Sequence, residues 1–249
     1  MAATEPTIVA TSMGFRPGRR TWIEPGPVFD LMHDLAGRPA RPRLCFVATA
    51  GGDQLHRRLQ VREAFQGTGV EVSDLALMPM PNVDNVREHL LAQDVVWVDG
   101  GSVAGLLALW RLHGVGEPMR AAWEAGVVLG GVSAGSLCWH VGGTTDSFGP
   151  DLRAVTNGLA LLPWGNGVHH DSEPERRPLL HRLVADRTLP TSYASDDGAG
   201  LIYRGTELAE AVTDRDGAGA YLVRREEGGQ VVEERLAVRR LEEPRPRAR

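Results

Sequence analysis

A mainly parallel α/β fold is what this sequence predicts, on three observations. Apolar strand-like runs alternate with helical segments of roughly 10–15 residues, a rhythm that implies right-handed strand–helix–strand crossovers. Several of these runs close on paired glycines: Gly51-Gly52, Gly100-Gly101 and Gly130-Gly131. The last third then breaks into shorter strand-like pieces separated by turn signals such as Asp216-Gly217 and Gly228-Gly229.

Taken in order, residues 7–12 form a short apolar run ending in a Ser-Met-Gly turn. Residues 27–36 have helical spacing, with Pro27 at a favourable first position and Gly37 as a stop. Residues 43–49 read as a buried strand, 54–66 as an amphipathic helix, 70–78 as a strand, and 83–91 as a helix for which Asn82 is a candidate cap. The strand 94–98 closes on Asp99-Gly100-Gly101-Ser102 and leads into an apolar helix at 103–113. A further helix at 117–125 precedes the strand 127–130. Beyond it, 191–194, 201–203, 207–213, 219–225 and 230–238 read as strands, the last four as antiparallel additions at a sheet edge. No linker divides the chain, so 1–249 is expected to form one domain, with 239–249 as a frayed tail.

Composition narrows the function classes. The chain has 249 residues, enough for a substantial core, with 42% hydrophobic and 24% charged residues. Its net charge of −5 implies no general affinity for nucleic acid or anionic membrane. The arginines near the end (Arg239, Arg240, Arg245, Arg247, Arg249) alternate with acids and prolines and read as solvated. Two cysteines, Cys45 and Cys138, suggest no disulfide framework, which points to a reducing cytoplasm. No secretion signal and no apolar stretch of membrane-spanning length is evident.

The chemistry concentrates in Gly131-Val132-Ser133-Ala134-Gly135. A buried strand that stops at a sharp turn, with a serine at the turn and small residues opening a helix, is the pattern of a nucleophile elbow. The glycines allow strained dihedrals and a close helix–strand approach. In an open parallel sheet, sites form at the carboxyl ends of strands. The N–H of Gly101 (or Gly100) and that of Ala134 are therefore candidate oxyanion donors, while Ser102 also suits an N-cap.

A serine hydroxyl needs a base, and histidine has the appropriate pKa. Six of the eight histidines (His33, His56, His89, His113, His140, His181) read as helix or helix-end residues, and His140, on the same helix as Ser133, lies two turns away. His169 and His170 stand in a polar loop after the apolar segment 159–162 and are the candidate bases. The acid that would orient the base is Asp146, shortly after the nucleophile's helix, or Asp197, at the end of the strand 191–194. Chain position alone does not separate the two.

These segments, VVWVDGGSVAGLL, GGVSAGS, TTD, VHHDSEPERRP and SDDGAGL between residue 95 and about 201, together resemble peptidase family S51, which includes dipeptidase E and cyanophycinase. The resemblance implies a flavodoxin-like sheet related to class I glutamine amidotransferases, with helices on both faces and serine in place of their cysteine. Ser133 matches the family nucleophile and His169 its histidine. Asp146 matches the aspartate of the dipeptidase branch, and Asp197 the position of a glutamate in cyanophycinase-like members. Asp197 is the favoured partner because it sits on a different strand end. His170 stands where relatives carry an aromatic residue, so the choice of base stays open and His170 is also a candidate substrate contact. Arg176 and Arg177 fall where the dipeptidase branch holds its substrate's acidic side chain, although a local ion-pair network with Glu173 and Glu175 is an equal alternative.

The sequence therefore leads to a serine peptidase for small peptides, including dipeptides with an N-terminal acidic residue, acting through Ser133, His169 and Asp197 or Asp146. No metal or organic cofactor is expected, and no nucleic-acid or membrane partner; a homodimer stays open. An α/β-hydrolase esterase and a non-catalytic amidotransferase-like binding protein are the two alternatives.

Overall fold

A computed structural model describes residue 3 and residues 5–243. In chain order the elements are β1 (Thr7–Thr11), β2 (Phe15–Pro17), β3 (Ile23–Pro25), α1 (Pro27–Leu35), β4 (Arg43–Val47), α2 (Leu55–Ala64), β5 (Glu71–Leu75), α3 (Val86–Leu91), β6 (Val95–Val98), α4 (Val103–Leu112), α5 (Gly116–Glu124) and β7 (Val128–Val132). They continue with α6 (Ala134–Leu137), β8 (Gly142–Thr145), β9 (Arg153–Val155), β10 (Gly165–Gly167), α7 (Arg176–Ala185), β11 (Ser192–Ser195), β12 (Ala199–Arg204), β13 (Glu207–Thr213), β14 (Ala220–Arg225), β15 (Val231–Arg235) and β16 (Val238–Arg240).

Two large sheets result. The first runs β16-β13-β12-β1-β7-β6-β4-β5. Its strands β1, β7, β6, β4 and β5 are parallel, and β12 joins β1 antiparallel. The period-2 alternation of a strand puts successive side chains on opposite faces. Thus Ile8, Cys45, Val47, Val96 and Val98 pack with Leu106, Leu107 and Trp110 of α4 on one face. Val9, Leu44, Phe46, Val95 and Trp97 pack with Phe29 and Met32 of α1 and Val61 of α2 on the other. Helices cover both faces of a mainly parallel sheet, the flavodoxin-like arrangement. Each fully buried aliphatic or Phe side chain there stabilises the fold by about 1.5–3 kcal/mol.

The second sheet runs β15-β14-β11-β10-β8-β9, with β8, β10 and β11 parallel. Its short strands are rich in glycine because they are packed too closely for side chains. A Cβ at Gly142 would lie 2.0 Å from the Val155 carbonyl oxygen, and one at Gly143 would lie 2.0 Å from that of Asn166. Helix α7 covers this sheet through Leu179, Leu180, Leu183 and Val184 against Ala194 and Val223.

Several expectations need correction. Asn82 does not cap α3: its side chain holds the Ala76 N–H and the Asp74 carbonyl oxygen, and Asn85 accepts the Glu88 N–H as the cap. The helix after Ser133 ends at Leu137, so His140 lies beyond it. Gly130-Gly131 is part of β7 rather than a turn. The segment 230–238 is two strands in different sheets: β15 pairs with β14, and β16 runs parallel to β13. Only β12 and β13 are antiparallel additions to the first sheet. Arg239 and Arg240, expected in the tail, lie on β16, where Arg239 forms a two-pronged ion pair with Glu210, and Leu241 is buried. Arg245, Arg247 and Arg249 lie outside the described residues. Among the described residues, no helix is long and apolar enough to cross a membrane.

Candidate active site

Ser133 stands between β7 and α6 with φ 57° and ψ −112°. For a residue with a Cβ this left-handed backbone costs on the order of 1–3 kcal/mol, and the surrounding glycines hold it in place. Gly135 lets the first turn of α6 settle onto the end of β6, since a Cβ there would sit 2.0 Å from the Val98 carbonyl oxygen. The Ser133 N–H donates to the Thr11 carbonyl at 3.1 Å, which anchors the elbow to β1. Among the described residues, nothing hydrogen-bonds the Ser133 hydroxyl, which faces a cavity of about 370 Å³.

Gly101 and Ser102, from the turn after β6, line the same cavity. Gly101 adopts φ +135°, and a Cβ would meet the Ala50 carbonyl oxygen at 2.4 Å, so only glycine fits. The N–H groups of Gly101 and Ala134 find no acceptor among the described residues. Ala134 directly follows Ser133, and Gly101 lines the same cavity as Ser133. Ser102 does cap α4, accepting the Gly105 N–H at 3.0 Å.

The opposite wall comes from the second sheet. His169 follows β10, also in a left-handed conformation (φ 55°), and its ring lines the cavity. Its Nδ1 lies 2.5 Å from Asp197 Oδ1. Asp197 follows β11, the strand next to β10, so adjacent parallel strand ends deliver base and acid side by side. The loop is further pinned by Asp171, whose Oδ1 accepts the Asp197 N–H at 2.8 Å. Burial would raise the Asp171 carboxyl, but that N–H and the Arg215 guanidinium outweigh it and hold it below the usual carboxylate range.

The other candidates separate cleanly. Asp146 lines the cavity but faces Arg176, 3.9 Å from Nη2, and makes no hydrogen bond to His169. Arg176 forms a buried part of the wall: its side chain is 3% exposed, with Nη1 on the Thr144 carbonyl at 3.1 Å and Nη2 on Glu173 Oε1 at 2.9 Å. The structure does not bring His170 or Arg177 to the cavity. The His170 side chain is fully buried and its Nε2 lies 2.9 Å from Glu233 Oε2. Arg177 stacks over the Tyr221 ring at 4.8 Å and lies 3.6 Å from Glu233. Burial alone would raise the Glu233 carboxyl, yet His170, His181 and Arg177 together hold it at about 2. This cluster fastens α7 to β15 behind the cavity.

Sequence reasoning did not single out Thr11, Ser12, Asp171 or Arg215. Ser12 and His169 are 157 positions apart, and a lone serine at a turn carries no signal that its hydroxyl meets the His169 N–H. Glu173 was expected only as a member of a local ion-pair network; it does pair with Arg176, and it also lines the cavity.

A parallel α/β sheet with a strained serine at a strand end, free N–H donors beside it and an imidazole–carboxylate pair across the cavity defines a serine-hydrolase architecture. The chain belongs to peptidase family S51, whose profile matches residues 24–211. It is 39% identical over 183 residues to YgaJ of Bacillus subtilis (strain 168), an uncharacterized peptidase, covering 74% of this chain and 78% of that one. Solved structures share the fold. One is a peptidase from an acI-B1 Actinobacterium (TM-score 0.63, 16% identity, 96% and 95% of the two chains covered). Another is a protein of Listeria monocytogenes EGD-e provisionally assigned as a peptidase E (TM-score 0.56, 16% identity, 93% and 98% covered). The chain is thus a serine-type peptidase, and the esterase and non-catalytic alternatives are set aside.

Proposed function

We propose that this peptidase cleaves small peptides through Ser133, His169 and Asp197. The observation that carries the reading is the convergence of the Ser133 hydroxyl and the Asp197-paired His169 ring on one cavity. Asp197 accepts the Nδ1–H of His169, which leaves Nε2 as the proton acceptor. The Ser133 oxygen attacks the scissile carbonyl carbon while its proton passes to Nε2. The carbonyl oxygen gains the negative charge and is received by the N–H groups of Gly101 and Ala134, each such donor being worth roughly 3–4 kcal/mol in the transition state. The C–N bond then breaks, the imidazolium protonates the leaving amine, and water, deprotonated by the same imidazole, releases the acyl group. Ser133 and His169 make no hydrogen bond without substrate; such contacts tighten in the Michaelis complex.

Arg176 gives the reading its substrate class. Its buried guanidinium in the cavity wall suits an acidic side chain on the N-terminal side of the scissile bond, which would replace Glu173 as its carboxylate partner. Dipeptides with an N-terminal acidic residue are therefore the expected substrates. A cytoplasmic setting accords with Cys45 and Cys138, both free thiols. The test is a dipeptide-library cleavage screen with Ser133→Ala as control. Acidic N-terminal members should be cleaved by the wild type and spared by the variant; equal cleavage by both would refute the assignment.

A further inference from the structure

Two consecutive residues, Thr11 at the end of β1 and Ser12 just after it, contact the backbones of both Ser133 and His169. The Thr11 carbonyl accepts the Ser133 N–H at 3.1 Å. The next residue, Ser12, offers its hydroxyl to the His169 N–H at 3.1 Å, and the same oxygen lies 2.8 Å from Ser195 Oγ and 3.3 Å from the Ser195 carbonyl oxygen. The backbone of Ser12 is bound as well. Its N–H donates to Ala199 and its carbonyl accepts from Gly198, both at 2.9 Å, so the loop that carries Asp197 is strapped to β1 from both sides. Ser12 is 6% exposed and Ser195 fully buried.

A hydroxyl has one proton to give and lone pairs to receive with. The Ser12 oxygen accepts the His169 N–H, and its own proton is available to the carbonyl or hydroxyl oxygen of Ser195. The arrangement matters because His169 sits at φ 55°, beyond Gly167, the last residue of β10 that pairs with β11. Without Ser12 that half-buried N–H would lose its partner, and the backbone would be free to relax out of the left-handed region.

We propose that Ser12 is the positioning residue for His169: its hydroxyl holds the strained His169 backbone so that the imidazole, clasped by Asp197, faces Ser133. The inference rests on the catalytic reading given above. It makes β1 of the first sheet the gauge that sets the distance between a nucleophile on that sheet and a base on the second. Ser12 acts through His169 and does not itself touch substrate.

The experiment follows the rate at which a fluorophosphonate labels Ser133, read by intact-protein mass spectrometry, in wild type and in S12A, S195A, H169A and S12A/H169A. Displacing a catalytic group by about 1 Å costs on the order of 100-fold, so S12A is expected to label 10- to 100-fold more slowly at a temperature where it is still fully folded. S195A, which keeps the acceptor for His169, should lose less than about fivefold. In the H169A background, removing the Ser12 hydroxyl should change nothing further; a general structural role would slow both backgrounds alike and would overturn the proposal. S12A labelling at the wild-type rate would also overturn it. Wild type and H169A labelling equally fast would instead sink the catalytic reading, a separable outcome. If S12A does not fold, hydrogen exchange of the His169 amide in the wild type decides: protection supports the bond, and exchange at the rate of an open loop contradicts it.

Discussion

The two sheets divide the site between them, and they do so by different physics. The first supplies Ser133 and the free N–H groups of Gly101 and Ala134, the nucleophile and oxyanion donors of the proposed mechanism, from the ends of β7 and β6, strands buried on both faces beneath helices. The second supplies the His169–Asp197 pair and Arg176 from the ends of β10 and β11 and the start of α7. The first is rigid through apolar packing of Val, Leu, Trp and Phe. The second is thin and glycine-rich, its strands brought together by the absence of side chains and its loops pinned by polar contacts: Asp171 on Asp197, Arg215 on Asp171, His170 and His181 on Glu233. In the proposed mechanism one sheet fixes where a carbonyl is attacked, and the other fixes whether the attacking hydroxyl can lose its proton.

The largest expected effect tests the acid of the second sheet. Asp197→Asn should lower kcat by about 10³–10⁴, because an amide oriented to donate would select the wrong imidazole tautomer. Asp146→Asn, at the same cavity but directed at Arg176, should cost less than about tenfold. Steady-state kinetics of both variants on one dipeptide would check this. A larger loss in Asp146→Asn would exchange their roles.

Matched glycine substitutions, one in each half, sharpen the comparison. Gly135→Ala drives a Cβ to 2.0 Å from the Val98 carbonyl oxygen, and Gly143→Ala drives one equally close to that of Asn166. Both should destabilise by about 1–3 kcal/mol or more, since backbone must shift. Gly135→Ala should also lose more activity than Gly143→Ala, because it displaces Ser133 and Ala134 together. Denaturant melts alongside kcat values measure both terms, and an inactive but fully stable Gly143→Ala would reverse the expectation.

Acid sensitivity should belong to the junction and the second sheet. Burial, only partly opposed by the Ser136 carbonyl, lowers His140 from 6.5 to about 4. The unfolded chain therefore binds a proton that the native state refuses between those values, and stability falls as pH drops from about 6.5 to 4, in full by on the order of 3 kcal/mol. Glu233, held at about 2, adds a second loss as pH falls below about 4.5. Urea melts of wild type and His140→Gln across this range should show a gentler slope in the variant between pH 6.5 and 4; parallel slopes would remove His140 from the account.

The same division explains what was legible in the sequence. The first sheet announces itself through continuous apolar runs such as Val95–Val98 and helices with consistent periodicity, and the elbow follows from Gly131 to Gly135. The second sheet does not. Gly142–Thr145 and Gly165–Gly167 have neither alternation nor β-branched bulk to mark a strand, because their pairing depends on contacts with distant backbone. Hence Ser133 could be named outright and the oxyanion donor narrowed to Gly101 or Gly100, while the base stayed open between His169 and His170, and Asp197 could not be separated from Asp146 by chain position. His170 and Arg177 looked as suitable as their neighbours His169 and Arg176, and only the alternation of facing at a strand end and a helix start distinguishes them.

The central claim is that a hydroxyl from one sheet and an imidazole from the other work as a single unit, and a double-mutant cycle in kcat/KM tests it most directly. With Ser133→Ala, His169→Ala and the double variant assayed on one cleaved dipeptide, each single change should abolish nearly all turnover and the double should be no slower than Ser133→Ala alone. Losses that multiply, or a His169→Ala enzyme that keeps wild-type turnover, would contradict the account.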